Sequence, residues 1–304
     1  MLNQQTVLVT GATGFIGQHL IQYLLAQHYQ VIGLTRQKNK ASNHQKLSWV
    51  SSFEQIKSNN IDYVVNLAGE SIGQARWTDH RKKQLIESRV NMTHCLYQWL
   101  AQANIFPKLI ISGSAIGFYG IDPLEKWQDE CDENSPSQPI FMSELCQQWE
   151  KAALSYITQN TKIIRLGVVF GQGGGILPKM LRPIKLNAVG KIGSGHQPIT
   201  WVHIDDVIRT IQFLFKSSSI QKIYNVVAPD HIHQLQFVEI AANILKRKPM
   251  LPLPSFMMRL MMGEQSQLVL NGQYVRPQAL QREGFDFKYP NLSIALQQIL
   301  AIDR

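Results

Sequence analysis

Three glycines stand in the segment TGATGFIG, residues 10–17, with the spacing G-x-x-G-x-x-G. The segment follows an apolar run, residues 6–10, and leads into residues 15–25, whose apolar positions recur with helical period. At such a turn the glycines permit a tight bend, the approach of a pyrophosphate and close packing of helix on strand, while the helix N-terminus attracts the anion. This context favours a dinucleotide site over a plain strand-to-helix turn. We expect cofactor contacts from Gly11, Thr13, Gly14, Phe15, Ile16 and Gly17.

The end of the next apolar run, residues 30–35, distinguishes between two dinucleotides. An acidic residue there would accept hydrogen bonds from the adenosine ribose, whereas this chain has Thr35 and Arg36, followed by Lys38 and Lys40. A guanidinium can bind a 2′-phosphate through two hydrogen bonds, and a carboxylate would repel it. The pattern therefore predicts NADP(H) as the cofactor. The alternative is an arginine that is simply solvated at the end of a strand.

The runs that carry these segments are apolar at successive positions rather than at alternate ones. Such runs are typical of strands that are buried on both faces, as in a parallel sheet covered by helices. They alternate with helical or loop segments, so the sequence predicts an α/β fold. Strands are expected over residues 6–10, 30–35, 61–68, 108–113, 161–170 and 222–229. Helices are expected over residues 15–25, 141–153 and 236–247.

The composition of the 304-residue chain, 44% hydrophobic and 17% charged, fits a globular protein with a sizeable core. The formal net charge is +9, but the densest basic runs, residues 81–83 and 246–248, lack interleaved aromatic residues. We therefore expect no nucleic-acid partner. The three cysteines show no metal-ligand spacing and leave one unpaired, which fits a reducing cytoplasm. We expect no metal site, no membrane span and no signal peptide.

Four motifs taken together resemble the extended short-chain dehydrogenase/reductases. They are TGATGFIG at 10–17, NLAG at 66–69, SGSAIGFYG at 112–120 and WVHIDD at 201–206. Further segments narrow the resemblance to the epimerase-like branch, which is sometimes labelled nucleoside-diphosphate-sugar epimerase and whose substrate is generally unassigned. These segments are AGESI (68–72), RWT (76–78), IESR (86–89), WE (149–150), GGG (173–175), GSGHQ (193–197), PLP (252–254), GE (263–264), GQ (272–273) and GFDFKYP (284–290). The resemblance covers essentially the whole chain.

The resemblance implies a Rossmann-type doubly wound parallel sheet with a smaller C-terminal α/β cap domain. The cofactor-binding domain would span residues 1–170, with 198–228 returning to it, and the substrate-side cap would comprise 171–197 and 229–304. Within the cap, the methionine-rich segment at residues 250–263 is interpreted as core packing. An adaptable binding surface is the alternative, because methionine side chains suit both uses.

The resemblance also implies cofactor contacts outside the glycine segment. By position in the family these are Thr35, Arg36, Leu67, Ala68, Gly69, Gln84, Arg89 and Val169. Gln84 is the weaker transfer because the family often has an acidic residue there, and the alternative for Arg89 is a salt bridge on a helix face. Family position further assigns a structural role to one histidine and makes four residues plausible pocket residues. These are His203 for the structural role and Arg76, Trp77, His196 and Gln197 for the pocket.

The proton-transfer pair of the superfamily is absent from this chain. In ordinary members a tyrosine donates or accepts the proton during hydride transfer, and a lysine four residues later lowers the tyrosine pKa, which is near 10 in isolation. Alignment on Glu150 places Met142 and Cys146 at these two positions. A shift of one residue places Phe141 and Leu145 there instead. None of the nine tyrosines is followed by a lysine four residues on.

Other residues are candidates for parts of this chemistry. Ser114 stands where the family's carbonyl-polarising serine is expected, and Glu70 follows the NLAG segment at the ligand side of the sheet. Both are predicted catalytic residues, with a hydrogen-bonded loop anchor as the alternative for Glu70. Tyr119 usually corresponds to a pocket-lining aromatic in relatives. Cys146 is either a reactive thiol or a small apolar side chain.

Three hypotheses for the function follow, in order of preference. In the first, the protein is an NADP(H)-dependent oxidoreductase that acts on a small carbonyl or alcohol, with Ser114 and water or Glu70 handling the proton. In the second it holds NADP(H) without turnover, as a sensor or a platform for a partner. The third is a sugar-nucleotide epimerase, which requires transient oxidation and loses most from the missing tyrosine. The substrate and the oligomeric state do not follow from the sequence.

Overall fold

The computed structural model describes residues 5–37, 40, 42 and 44–301, and Lys38 lies outside the described residues. The strands are β1 Thr6–Thr10, β2 Gln30–Leu34, β3 Leu47–Val50, β4 Tyr63–Asn66, β5 Leu109–Ala115, β6 Glu130–Cys131, β7 Thr161–Leu166, β8 Val168–Phe170, β9 Val189–Ile192, β10 Trp201–His203, β11 Ile223–Val226, β12 Leu251–Leu253 and β13 Tyr274–Val275. The helices are α1 Phe15–Ala26, α2 Asp79–Gln102, α3 Phe141–Leu154, α4 Leu177–Lys185, α5 Ile204–Lys216, α6 Gln234–Leu245, α7 Ser255–Met262, α8 Gln267–Leu270, α9 Gln278–Arg282 and α10 Leu292–Ala301.

Seven strands form one parallel sheet in the order β11-β7-β5-β4-β1-β2-β3. The predicted parallel sheet is confirmed: β4 is buried at every position, and β1 and β5 are buried at all but one. The chain order reverses between β1 and β4, which are adjacent in the sheet. In open α/β sheets the crevice outside the carboxyl ends of the strands at such a reversal holds the ligand. The glycine segment lies at this point.

Helices cover both faces of the sheet and bury its apolar side chains. On one face α1 and α5 contribute Leu20, Leu24 and Ile211 to a core with Val7 and Val9 of β1. On the other face the core combines β-strand residues with helix residues from α2 and α3, which are Leu8, Val64, Ile110, Leu96, Tyr97, Leu100 and Ala153. This double burial explains why the strands are apolar at successive positions.

The run at residues 161–170, predicted as one strand, is divided into two. β7 joins the main sheet beside β5, whereas β8 pairs with β10 in a separate two-stranded sheet. Gly167 stands at the break, where an added Cβ atom would lie 2.9 Å from the Thr200 carbonyl oxygen. Only a glycine fits this close backbone approach, and the chain changes sheets there. Val169 therefore lies on the second, shorter strand.

The C-terminal part packs α4, α6 and α10 around a second core that includes Phe237, Leu296 and Trp201. The predicted domain boundaries stay a prediction. The interpretation of residues 250–263 as core packing is wrong for α7, where Met258 is buried but Phe256 and Leu260 are 65% and 77% exposed. An apolar periodicity shows which residues share a helix face but not whether that face is covered. Within the described ranges no helix is both long and apolar enough to cross a membrane.

Candidate functional site: the cofactor crevice and the missing pair

The glycine segment forms the tight turn between β1 and α1. Gly11 has φ of +63°, and an added Cβ would lie 2.4 Å from the Leu67 carbonyl oxygen. A Cβ on Gly17 would lie 2.3 Å from the Gly11 carbonyl oxygen, so the helix can approach this turn only without a side chain. Gly14 is the N-cap of α1, and no described side chain caps that end of the helix. The open N–H groups and the helix dipole fit a bound pyrophosphate.

The ends of β1 and β4 are fixed to each other beside this turn. The Thr10 hydroxyl donates to Asn66 Oδ1 at 2.6 Å and accepts from the Ala68 N–H at 3.2 Å. The Leu67 N–H donates to the Thr10 carbonyl at 3.3 Å. These bonds hold residues 67–69 against the glycine turn, where the sequence predicts cofactor contacts. The position fits that prediction, which rests on the family resemblance.

The first turn of α1 is flanked by the glycine-rich loop at residues 171–175. Added Cβ atoms on Gly171, Gly174 and Gly175 would each lie within 3.2 Å of the Phe15 ring. A Cβ on Gly175 would also lie 3.1 Å from the Val169 carbonyl. Gly171, Gly174 and Gly175 thus approach Phe15 so closely that these three positions have no room for a side chain. The structure brings together Phe15 and Val169, which are far apart in the chain.

Glu70 lies between two arginines rather than in isolation. Its carboxylate is 3.5 Å from the Arg36 guanidinium and makes a closer pair with the Arg81 guanidinium. The hydrogen bond from Arg81 is the largest effect on the pKa of Glu70; burial, the next largest, raises the pKa, but together with the charges of both arginines the hydrogen bond holds it below its ordinary value. An ionised carboxylate can accept a proton but has none to donate. The contact with Arg36 places this carboxylate at the end of β2, where the sequence predicts the 2′-phosphate of the cofactor.

Arg89 and Gln84, both on α2, are close to the same group. Arg89 donates to the backbone carbonyls of Glu70 at 2.8 Å and Leu85 at 3.0 Å, and its guanidinium lies 5.3 Å from the Trp149 ring centre. Burial lowers the pKa of Arg89. The contacts differ from the helix-face salt bridge that was the alternative for Arg89. Gln84 accepts a hydrogen bond from Arg81 at 3.2 Å.

Met142 and Cys146 lie side by side on the buried face of α3, with exposures of 5% and 4%. Both are next to Gly117, whose added Cβ would be 3.6 Å from Met142 Cβ and 3.9 Å from Cys146 Sγ. Burial, reinforced by the charge of Glu150, raises the pKa of the Cys146 thiol to about 11. A thiol with this pKa is protonated at neutral pH and is a poor nucleophile. The contacts favour the small apolar role for Cys146.

The Ser114 side chain is hydrogen-bonded to a buried ion pair. Its hydroxyl donates to Glu150 Oε1 at 2.7 Å. The same carboxylate accepts two hydrogen bonds from Arg165, each at 2.8 Å. Since its proton points to a carboxylate, Ser114 is arranged to accept hydrogen bonds from other groups rather than to donate to a carbonyl. Glu150 and Arg165 were not among the predicted site residues, although a charged residue inside the apolar run TKIIRL is a signal for a buried ionic contact.

Tyr119 belongs to the same network. Its hydroxyl donates to Asn225 Oδ1 at 2.7 Å and accepts from Arg165 at 2.9 Å. Burial raises the pKa of Tyr119 to about 12, although Arg165 acts in the opposite direction. The phenol is 1% exposed, so it lies beneath the crevice and not on its wall. Asn225, at the far edge strand β11, was not among the predicted site residues.

The remaining predicted residues lie around the crevice in supporting positions. His203 accepts from the Asp205 N–H at 3.1 Å and caps α5, as expected of a structural residue. Two of the other four lie in the β4–α2 connection: Arg76 donates to the carbonyls of Leu260 and Met261, and Trp77 donates to the carbonyl of Ile72. The remaining two follow β9: Gln197 donates to the carbonyl of Ile192, and His196 is exposed beside His233. Arg76 thus joins the β4–α2 connection to α7.

The fold and the crevice define the class of NAD(P)-binding proteins with a Rossmann-type parallel sheet. Residues 7–227 match the family model described as NAD dependent epimerase/dehydratase family. Residues 253–299 match a second model, described as a domain of unknown function, DUF1731. The chain belongs to the NAD dependent epimerase/dehydratase family, and it carries the C-terminal domain that the second model describes.

Two relatives and one solved structure agree with this assignment. An epimerase family protein of Staphylococcus saprophyticus is 35% identical over 298 residues, which are 96% of this chain and 98% of the relative. The Arabidopsis thaliana "Epimerase family protein SDR39U1 homolog, chloroplastic" is 34% identical over 98% of this chain and 87% of its own. The crystal structure of the human epimerase family protein SDR39U1, isoform 2, with NADPH has a TM-score of 0.87 at 31% identity and covers 98% of this chain and 99% of the human one. The expected family is confirmed.

Proposed function

We propose that the protein binds NADP(H) and holds it without a proton relay from its own side chains, as a cofactor-loaded sensor or a platform for a partner. The uncapped N-terminus of α1, the glycine turn and Arg36 at the end of β2 fit a dinucleotide that carries a 2′-phosphate. The human relative that was crystallised with NADPH supports the same cofactor. Leu67, Ala68, Gly69, Gln84, Arg89 and Val169 complete the proposed set of contacts.

The observation that carries the proposal is the arrangement of the potential proton donors around Ser114. Met142 has no proton to give, and the Cys146 thiol, with a pKa of about 11, holds its proton at neutral pH. Tyr119 is buried with a pKa of about 12, and the Ser114 proton is directed to Glu150. A general acid works best when its pKa is near the working pH. None of these four groups meets that condition in a position open to a substrate.

A bound NADPH supplies a hydride, and reduction of a carbonyl also requires a proton at the carbonyl oxygen. Side chains of this chain bind and orient the cofactor but leave that proton to water. The rate of carbonyl reduction is therefore expected to be low, by about the 10²–10⁴-fold that a positioned acid ordinarily contributes. Slow turnover is compatible with stable retention of the loaded form.

Binding and turnover are tested separately on the purified full chain. Calorimetry is expected to give much tighter binding of NADPH than of NADH, and Arg36→Asp is expected to weaken NADPH binding far more than NADH binding. Equal losses for both nucleotides would contradict the 2′-phosphate assignment. In a single-turnover experiment with the small-molecule fraction of a cell extract, nicotinamide absorbance is expected to remain constant. Oxidation that disappears in Ser114→Ala would overturn the holding role.

A second candidate is an NADP(H)-dependent oxidoreductase acting on a small carbonyl or alcohol with a proton from water, or with Glu70 as a proton acceptor in the oxidative direction. The observation in its favour is a set of hydrogen bonds between the β4–α2 connection and the C-terminal part of the chain. Arg76 donates to Leu260 and Met261 carbonyls at 2.7 and 2.8 Å, and Gln265 donates to the Ile72 carbonyl at 2.8 Å. Exclusion of bulk water is typical of sites for hydride transfer. Sugar-nucleotide epimerisation is less supported, because it needs a base at the missing tyrosine.

A further inference from the structure

Arg81 has the features of an arginine in an anion-binding site. Its side chain is only 12% exposed, although it begins in the first turn of α2 at the protein surface. Nη1 pairs with Glu70 and Gln84, and Nη2 donates to the Ser71 carbonyl at 2.9 Å. Its Nε is buried and has no hydrogen-bond partner among the described residues. A buried donor without a partner is costly and points to a group that completes the site.

Arg36 is the second arginine that contacts Glu70. Its side chain is 89% exposed, and its contact with Glu70 at 3.5 Å is long and largely solvated. Exposed pairs of this kind are weak and easily exchanged for another anion. Arg81 is held firmly by three acceptors, whereas Arg36 can move. The two guanidiniums nevertheless meet at one carboxylate, so they share one anion-binding position.

The charges of this triad are unbalanced. Two guanidiniums and one carboxylate leave a net charge of +1 in the group formed by Arg36, Arg81 and Glu70. A phosphate monoester carries close to two negative charges at neutral pH and three acceptor oxygens, and it pairs with arginines through two hydrogen bonds each. Such a phosphate satisfies both arginines better than one carboxylate can. Glu70 would then compete with it for the same donors.

Resting on the proposed cofactor function, we propose that Arg81 is a second arginine of the 2′-phosphate site and that Glu70 is the counter-ion which the phosphate displaces. Glu70 keeps the two arginines together in the free protein and leaves them when the phosphate binds. It thereby sets how strongly NADP(H) is preferred over NAD(H). This role excludes the predicted proton-transfer role of Glu70, because the 2′-phosphate and the nicotinamide are at opposite ends of the cofactor.

The test uses fragments of the cofactor that lack the nicotinamide. Binding of adenosine 2′,5′-bisphosphate and of adenosine 5′-monophosphate to the full chain is measured by calorimetry at one salt concentration. Arg81→Met is expected to weaken the bisphosphate by about tenfold or more and the monophosphate by less than about twofold. Glu70→Gln is expected to strengthen the bisphosphate by about threefold to tenfold and leave the monophosphate within about twofold.

Glu87→Gln is the matched control, because Glu87 lies on the same helix and pairs with Lys83 at 3.9 Å in an exposed position. It is expected to change neither affinity, and thermal melting of every variant shows that the fold is kept. Glu70→Lys provides a second variant, with stronger bisphosphate binding expected than for Glu70→Gln.

Three results would overturn the inference. They are weaker bisphosphate binding in Glu70→Gln, equal losses of both fragments in Arg81→Met, and no change for bisphosphate in either variant. The proposed holding role fails separately, by NADPH oxidation that disappears in Ser114→Ala in the single-turnover experiment. If the wild-type chain did not prefer the bisphosphate to the monophosphate, the cofactor assignment itself would fail. The two proposals therefore have distinguishable failures.

Discussion

Removal of the charge of Glu150 is expected to be among the most destabilising single changes in the chain. In Glu150→Gln the side chain keeps its shape, but one carboxylate oxygen is replaced by an NH₂ group, which cannot accept the hydrogen bonds of the neighbouring donors. The carboxylate takes two hydrogen bonds from Arg165, both at 2.8 Å, and one from Ser114 at 2.7 Å. The Arg165 side chain is 2% exposed, so water cannot replace the lost partner.

The magnitude follows from this burial. Loss of one partner from a buried ion pair leaves an uncompensated charge, which costs about 3–5 kcal/mol. The Tyr119 hydroxyl and the Phe118 ring, whose centre is 3.5 Å from the Arg165 guanidinium, remain to stabilise Arg165 and favour the lower part of that range. At about 2–3 °C per kcal/mol for a chain of this size, a cost of about 3–4 kcal/mol lowers the melting temperature by roughly 6–12 °C.

Urea unfolding followed by circular dichroism measures the change, and the exposed pair of Lys83 and Glu87 provides the control. Glu87→Gln is expected to alter the free energy of unfolding by less than about 0.5 kcal/mol. The double variant with Glu150→Leu and Arg165→Met is expected to be more stable than Glu150→Gln, because it removes both buried charges. A loss below about 1 kcal/mol for Glu150→Gln would refute the reasoning that this pair is isolated from water.

Three further predictions concern single groups. Gly14→Ala is compatible with the observed φ of −73°, but its Cβ would lie 3.1 Å from the Gly11 carbonyl oxygen, so a small fall in the melting temperature is expected. The same Cβ should weaken NADPH binding by about tenfold or more in calorimetry, and unchanged affinity would remove the pyrophosphate from this turn. Alkylation at pH 8, followed by mass spectrometry, should show fast modification of the exposed Cys95 and slow modification of Cys146. With a pKa of about 11, only roughly one Cys146 side chain in a thousand is a thiolate at this pH, and equal rates would contradict its burial. Burial lowers the pKa of His203 below 6.5, so the folded state disfavours its protonation and stability should fall as the pH drops through and below about 6.5. In His203→Asn, which can keep the cap of α5, urea unfolding between pH 7 and 5 should show a smaller loss, and an unchanged slope would assign the pH dependence to other groups.

The exposed apolar face of α7 shows a limit of sequence analysis. Residues 255–262 have the spacing of an amphipathic helix, and this pattern predicts that the apolar side chains pack into a core. The structure leaves Phe256, Leu260 and Met261 exposed while Arg76 binds the backbone carbonyls at the end of the helix. Whether an apolar face is covered depends on elements that are far away in the chain. The local pattern contains no information on them.

The division of residues 161–170 has a similar cause. Every residue type in this run suits a buried strand, and Gly167 alone does not reveal that the chain changes sheets. The decisive contact is the approach of Gly167 to the Thr200 carbonyl, which comes from a segment more than thirty residues later. Likewise, Glu150 and Arg165 are recognisable as charged residues among apolar ones, but their pairing requires α3 to lie against β7.

The sequence by itself determined the parallel sheet, the glycine turn and the absence of the tyrosine–lysine pair. These features depend on residue type and local spacing, since backbone conformation at a glycine and the burial of a strand are encoded within a few positions. Only the tertiary structure decided that Glu70 is shared by Arg36 and Arg81, that Ser114 donates to Glu150, and which apolar surfaces remain open. Such contacts join segments that are distant in the chain, and electrostatic effects depend on distance and burial, which a linear sequence does not specify.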